Sequence, residues 1–276
     1  MRYCLYSLNN MDLKEITRNV CRIAQQTGAY LATERSTFNV KDVLEKGSHD
    51  FVSYVDREAE KRIVNELTAI LPEAGFITEE KTVAQSDADL KWVIDPLDGT
   101  SNFIHNLSPY CVSIALQNKE ETLLGVVYEV CRNECFYAYK GNSAYLDSKL
   151  IHVSEIESLD KAFIGLGLPY NFNEYKTTAN YLIDKLYGNV AGTRILGAAA
   201  AELCYIACGR FDARIEAFLG PWDVAAGGFI LQQAGGKVTD FEGKNDWQSG
   251  KQLIASNGKL HQEIISLLQS EVTNKY

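Results

Sequence analysis

The chain has 276 residues, enough for one large domain or two intimately packed halves around a sizeable apolar core. Its 27 Lys and Arg stand against 36 Asp and Glu, a formal net charge of −9, which argues against a broad electrostatic grip on nucleic acid or anionic lipid but leaves room for a local anion site. Seven cysteines are an odd number in a chain too long to need disulfide staples, so they read as buried small hydrophobes in a reducing cytoplasm.

The opening MRYCLYSLNN has neither a continuous apolar stretch nor a small-residue cleavage site, and no apolar run approaches the roughly 18 residues of a membrane span. From Met11 to about Thr33 apolar residues recur at helical spacing (Leu13, Ile16, Val20, Ile23, Ala24), and again from about Asp56 to Leu71 before Pro72 stops the helix. Short strand-like runs follow at 74–78 and 91–94, separated by a polar stretch, 81–91, that reads as a mobile surface loop. VSIAL, LLGVVYEV, ECFYAYK and SAYLD then alternate with turn formers, the pattern of an antiparallel meander.

The second half predicts a strand at AFIGLGL, helices near 173–187 and 198–207, and a strand at DARIEA. A helix opens on Asp223 as N-cap and closes at Gly235 and Gly236; strands at KVTDF and QLIAS and an amphipathic C-terminal helix complete the chain. Strands and helices mix without strict alternation and no linker divides them, which predicts an α+β layered fold in a single domain over 1–276, with packed halves of roughly 11–150 and 151–276. Cys131 with Cys135 and Cys204 with Cys208 are spaced for one helix face, but no histidine stands at a matching distance, so no zinc site is expected.

The stretch WVIDPLDGTSNF carries the chemistry. Asp95 ends an apolar strand and Asp98 follows a Pro-Leu turn, so two carboxylates converge beyond a sheet edge. Such a pair caps a turn, serves as general acid and base, or clamps a cation. The Gly99-Thr100-Ser101 that follows can start a helix whose free amides favour phosphate, and cation and anion sites side by side are what metal-assisted phosphoryl hydrolysis needs. Glu79, Glu80 and Asp223, each at the end of a strand or helix, add to the acidic set. Aspartyl-phosphate phosphatases space their two acids by one intervening residue and the EF-hand loop differs again, so neither fits.

FITEE, WVIDPLDGTSNFIHNLSPYCVSIAL and PWDVAAGGFILQQAGG together resemble the inositol monophosphatase family of lithium-sensitive, magnesium-dependent phosphatases, over nearly the whole chain from about residue 11. The resemblance implies a layered αβαβα sandwich of the inositol monophosphatase and fructose-1,6-bisphosphatase type, a cytoplasmic homodimer, and two to three Mg2+. Carried over by position, Glu79, Asp95 and the carbonyl of Leu97 hold one magnesium, and Asp95, Asp98 and Asp223 hold a second. A metal-activated water is oriented by Glu79 and Thr100, with Asp56 accepting from the threonine hydroxyl. The amides of Gly99 and Thr100 bind the phosphate, while Ala199, Glu216 and Asp223 line the polyol pocket. Lys46 and Asp50 match a loop associated with a weaker metal site. Thr78, where the family usually has glycine, and Ser101, where many members have a second threonine, are departures that remove no ligand.

The implied reaction is hydrolysis of myo-inositol monophosphate to inositol and phosphate, with 3′-phosphoadenosine 5′-phosphate or another sugar phosphate as the alternative substrate. The implied partner is a small phosphorylated polyol or sugar, with no nucleic acid and no membrane. His105 and Tyr110 are expected to be structural or lid residues, and Arg194 a structural or interface arginine, none of them catalytic. A regulatory or interaction protein with a secondary phosphatase site is the reading from a different class.

Overall fold

The computed structural model describes residues 11–38, 44–47, 50–52, 54–169, 172–249 and 251–273. The opening segment with Cys4 and the side chains of Lys46 and Asp50 lie outside the described residues. The elements are α1 (Leu13–Thr37), β1 (Leu44–Gly47), β2 (Asp50–Val52), α2 (Tyr54–Ile70), β3 (Gly75–Thr78), β4 (Lys91–Asp98), α3 (Thr100–His105), β5 (Cys111–Gln117), β6 (Thr122–Glu129), β7 (Glu134–Tyr139), β8 (Tyr145–Leu146) and β9 (Lys149–Leu150). They continue with β10 (Phe163–Leu166), α4 (Phe172–Leu186), β11 (Gly192–Arg194), α5 (Ala199–Ala207), β12 (Ala213–Ala217), α6 (Pro221–Gln233), β13 (Lys237–Thr239), β14 (Gln252–Ser256) and α7 (His261–Thr273).

Strands β3 to β9 form one seven-stranded sheet in sequence order, antiparallel except for the parallel β3–β4 pair. Period-two alternation gives this sheet two apolar faces. Trp92, Ile94, Val112, Ile114, Leu116, Leu124 and Val126 pack against Val20, Ile23 and Leu31 of α1 and Val55, Ile63 and Leu67 of α2. Val93, Ala115, Val127, Phe136 and Ala138 face the other way, into a core shared with α5 and α6.

A second sheet, ordered β11-β10-β12-β14-β13, closes over α5 and α6 with Val238, Leu253 and Ala255. Its opposite face buries Ile164, Leu166, Ala213, Ile215 and Ile254 against α4 and α7. The order is helix, sheet, helix, sheet, helix, the α+β sandwich expected. The middle layer is thin because its helices are rich in small residues. A Cβ on Gly227 of α6 would lie 2.9 Å from the carbonyl oxygen of Ala200 in α5, so the two backbones approach too closely for any side chain there.

Three differences from the sequence reading have clear causes. β4 does not stop at Ile94 but pairs with β5 through Asp98, with a register shift between Asp95↔Ser113 and Asp98↔Cys111. Pro96 has no amide to give to the ladder, and the extra residue is absorbed as a bulge. The stretch 81–90 is irregular as expected, yet its first turn is tied down by buried hydrogen bonds to Glu60. α6 opens at Pro221 with Gly220 in the capping position, so Asp223 stands at the third helical residue rather than at the N-cap.

Candidate functional site

In an even strand, residues three apart point to opposite faces. The β4 bulge inserts one residue between Asp95 and Asp98 and so turns both toward the layer of α5 and α6. Asp223 arrives from the first turn of α6, its carboxylate accepting the amide of Gly220 at 2.7 Å. One oxygen from each of Asp95, Asp98 and Asp223 lies within 4.8 Å of the others, and no other group of this kind occurs among the described residues. The cysteines of the two spaced pairs are free thiols.

Each of the three acids is held by backbone donors. Asp95 accepts from the amide of Leu97 (2.9 Å). Asp98 accepts from Ala199 (3.1 Å) and Ala200 (2.7 Å) at the start of α5, and from the thiol of Cys111 (3.3 Å). Burial pushes the Asp98 carboxyl up to about 6 despite these donors and the nearby Arg214. Burial followed by the charges of Glu79, Asp98 and Asp223 raises Asp95 well above the usual range, and burial followed by Asp98 and Glu79 raises Asp223. Like charges gathered out of water want a cation.

Parallel pairing sets the fourth acid. Thr78 lies beside Ile94 across β3 and β4, which places Glu79 next to Asp95, and the two carboxyls share a hydrogen bond. The turn carrying Glu79 is pinned by buried Glu60 of α2. Its Oε1 accepts from Thr78 Oγ1 (2.9 Å), Thr82 N (2.7 Å) and Thr82 Oγ1 (2.7 Å), and its Oε2 from Glu80 N (2.7 Å). Thr78, a departure from the family pattern, thus uses its hydroxyl to hold the turn. Behind the cluster Thr100 Oγ1 lies 3.1 Å from Oδ1 of buried Asp56 and 3.0 Å from the carbonyl oxygen of Leu97.

These groups open into a cleft of about 310 Å³ that Glu79, Asp95, Leu97, Asp98, Gly99, Thr100, Ala199, Glu216 and Asp223 all line. Asp56 is not a lining residue and reaches the cleft through Thr100. Gly99 takes φ +89° just before α3. Tyr110 is buried edge-on against Phe103, and Arg194 stacks over Phe163; neither lines the cleft.

Several contributors were missed in the sequence reading. Arg214 of β12 is 1% exposed and forms ion pairs with Glu202 of α5 and with Glu216, fixing the latter at the cleft wall. Gly167 leaves the space Glu216 occupies: a Cβ there would lie 1.9 Å from the Glu216 carboxyl carbon. Phe218 lines the same wall with φ +61°, a left-handed backbone costing an L-residue about 1–2 kcal/mol. Alternation along ARIEA puts Arg214 and Glu216 on one face and is a usable signal; Glu60, Glu202 and Phe218 are placed by contacts far apart in sequence.

The donor set fits a hard divalent cation: three carboxylate oxygens from two elements, β4 and α6, two of the residues buried, with a neighbouring carboxylate in Glu79. Asp95, Asp98 and Asp223 would hold it, with Glu79 beside Asp95.

The inositol monophosphatase family model matches residues 12–273. The Escherichia coli K12 protein named Nus factor SuhB is 36% identical over 254 residues, covering 92% of this chain and 95% of that one. The Pseudomonas aeruginosa protein of the same name is 38% identical, with 90% and 93% covered. The solved structure of an inositol monophosphatase of Thermotoga maritima superposes with a TM-score of 0.85 at 33% identity, covering 96% of this chain and 99% of that one. The extragenic suppressor protein suhB of Bartonella henselae gives 0.86 at 34%, with 92% and 98% covered.

These relatives correct one expectation. Proteins this similar are named as Nus factors, a transcription-associated designation, so the exclusion of a nucleic-acid partner does not stand. A net charge of −9 limits only a broad grip on a phosphate backbone and says nothing of a local patch or of a protein that bridges to nucleic acid.

Proposed function

The chain belongs to the inositol monophosphatase family, and from that membership we propose that it is a Mg2+-dependent phosphatase of small phosphate monoesters, myo-inositol monophosphate foremost. The observation that carries this reading is the carboxylate cluster of Asp95, Asp98 and Asp223 at the base of a cleft wide enough for a sugar phosphate. Mg2+ bound there supplies Lewis acidity, lowering the pKa of water and drawing charge from the phosphoryl oxygens.

The chain's own residues do the rest. Glu79 orients the attacking water together with the Thr100 hydroxyl, whose proton is directed to Asp56. The carbonyl of Leu97 and the carboxylates of Glu79 and Asp95 would hold one Mg2+, and Asp95, Asp98 and Asp223 would hold the other. Amides of Gly99 and Thr100 hold the phosphate, and Ala199, Glu216 and Asp223 seat the alcohol. Lithium inhibition, a homodimer, a working set of two to three Mg2+ and a cytoplasmic site are part of the same reading, the last supported by the free thiols.

The test is phosphate release by purified protein from inositol monophosphate, 3′-phosphoadenosine 5′-phosphate, fructose bisphosphate and histidinol phosphate, with Mg2+ and with chelator. A kcat/KM for inositol monophosphate at least about tenfold above the rest, roughly 1.4 kcal/mol, is expected. Release that survives chelation rejects the metal assignment, and preference for another ester keeps the mechanism and changes the substrate.

The name Nus factor SuhB borne by relatives favours one second reading, a regulatory role with or without turnover. Asp95→Asn separates the two: turnover is lost on the enzyme reading, whereas a cellular role that outlives the substitution belongs to the regulatory one.

A further inference from the structure

Eight large hydrophobic side chains are exposed among the described residues, and three of them, Leu168 (46%), Ile195 (53%) and Phe218 (44%), line the acidic cleft. Singly, exposed apolar residues need no explanation; three converging over a carboxylate floor do. Topology brings them together. β11, β10 and β12 are adjacent parallel strands, and Ile195, Leu168 and Phe218 each stand one or two residues past the carboxyl end of one of them. Ligands of open parallel sheets bind beyond that edge.

Phe218 is the fixed member of the row. Its left-handed backbone suits glycine and not a bulky side chain, so the ring stands there against the local backbone preference. Its amide donates to the carbonyl of Lys251 (3.0 Å), and its ring meets buried Tyr175 edge-on, with centroids 6.5 Å apart at 81°. The ring is held as a wall while nearly half of the residue stays open. Two residues earlier, inside β12, Glu216 is locked by Arg214 and lines the same cleft.

A hydroxylated ring has a polar edge and an apolar C–H face; a nucleoside likewise joins hydroxyls to a flat base. Resting on the phosphatase reading, we propose that Phe218, with Leu168 and Ile195, forms an apolar collar that takes the flat face of a ring-bearing alcohol while Glu216 takes its hydroxyls, so that ring-bearing phosphate esters are selected over open-chain ones. An open-chain polyol presents no such face and gains only the carboxylate contact.

The test compares kcat/KM for myo-inositol 1-phosphate, adenosine 2′-monophosphate and glycerol 2-phosphate in wild type, Phe218→Gly and Phe218→Tyr with Mg2+. Phe218→Gly relieves the left-handed backbone, so its Tm is expected at or near that of wild type. The ratio of ring to open-chain kcat/KM is expected to fall about tenfold in Phe218→Gly, chiefly through KM, and to recover in Phe218→Tyr. A fall for inositol phosphate alone identifies a cyclic polyol, and for the nucleotide alone a nucleoside; either supports the collar. An unchanged ratio overturns it. If wild type hydrolyses none of the three, the phosphatase reading has failed, and calorimetric titration of the same esters with Mg2+ decides the collar. About tenfold weaker binding of a ring ester to Phe218→Gly supports it; equal binding, or no binding of a ring ester to wild type, overturns it.

Discussion

The carboxylate of Asp98 accepts the amide of Ala200 at 2.7 Å, joining the β4 bulge to the start of α5 across 102 positions of sequence. One acid of the cluster is thereby built into the junction of the first sheet and the middle layer. A metal held by the cluster would therefore link its binding to the folding of that junction.

Stability in chelator should show the linkage. Burial raises Asp95, Asp98 and Asp223, joined for Asp95 and Asp223 by the charges of neighbouring carboxylates, so their folded pKa values exceed the unfolded ones and the native state takes up protons before the unfolded chain as pH falls, Asp98 at about 6. Ionisation of these acids therefore destabilises the apo protein above that pH. Asp95→Asn, which removes one charge and keeps an acceptor for Leu97, is expected to raise Tm in chelator at pH 7.5 by several degrees, at about 2–4 °C per kcal/mol. The gain should shrink toward pH 5. Mg2+ at a hundredfold excess over Kd should stabilise wild type by about 2.7 kcal/mol and the variant far less. Differential scanning fluorimetry over the pH series checks both.

Thr100→Val removes the hydroxyl between Asp56 and the Leu97 carbonyl while keeping the shape. If the pair handles the proton as proposed, kcat falls by about 10²-fold or more, with a stability loss of only about 1–2 kcal/mol. A variant as inactive as this but also unfolded at 37 °C would assign the pair to the fold instead.

Glu60→Gln replaces a carboxylate oxygen with an NH2 that faces the Glu80 amide, donor against donor, in a buried turn. The turn that carries Glu79 should loosen. The expected outcome is a rise of about tenfold in the Mg2+ concentration giving half-maximal phosphate release, with a destabilisation of about 1–3 kcal/mol. Magnesium titration of activity beside thermal melts measures the two effects separately.

The layered order was legible because both faces of WVI, VSIAL and GVVYEV are apolar, which requires cover on two sides. Asp95 and Asp98 were legible as a converging pair, but the reason they converge was not: a spacing of three points them apart until Pro96 forces a bulge. β11, three residues long, carries too little pattern to stand out. Glu60 reads as an ordinary charged position on an amphipathic helix and Glu202 as one acid in a small-residue helix; only the turn at Thr82 and the guanidinium of Arg214 reveal them as buried anchors. Short-range pattern tells which face is apolar, while a buried charge is defined by partners that arrive from elsewhere in the chain.

Arg214→Met keeps an unbranched apolar stem and removes the guanidinium between Glu202 and Glu216. Two carboxylates are then left in the interior without their counter-charge, which costs about 3–5 kcal/mol in comparable buried pairs. Urea unfolding should report a loss of unfolding free energy of that size at pH 7.5. Adding Glu202→Gln should recover part of it, since one unpaired charge goes.

His261 gives a test far from the cleft. Its ring is buried, Nε2 within 2.9 Å of Thr239 Oγ1 and Nδ1 within 2.8 Å of Ser256 Oγ, so it ties α7 to β13 and β14. Burial, with a smaller contribution from Lys237, lowers its pKa to about 4. The folded value lies below the unfolded one near 6.5, so the unfolded chain binds the extra proton. The stabilisation is full above about pH 6.5 and drains away as pH falls toward 4, by an amount on the order of 2–3 kcal/mol. His261→Asn cannot take up that proton. Wild type and variant should therefore differ most in denaturant midpoint near neutral pH and converge by about pH 4. Parallel curves across that window would mean that the imidazole is charged in the folded protein or already neutral in the unfolded one.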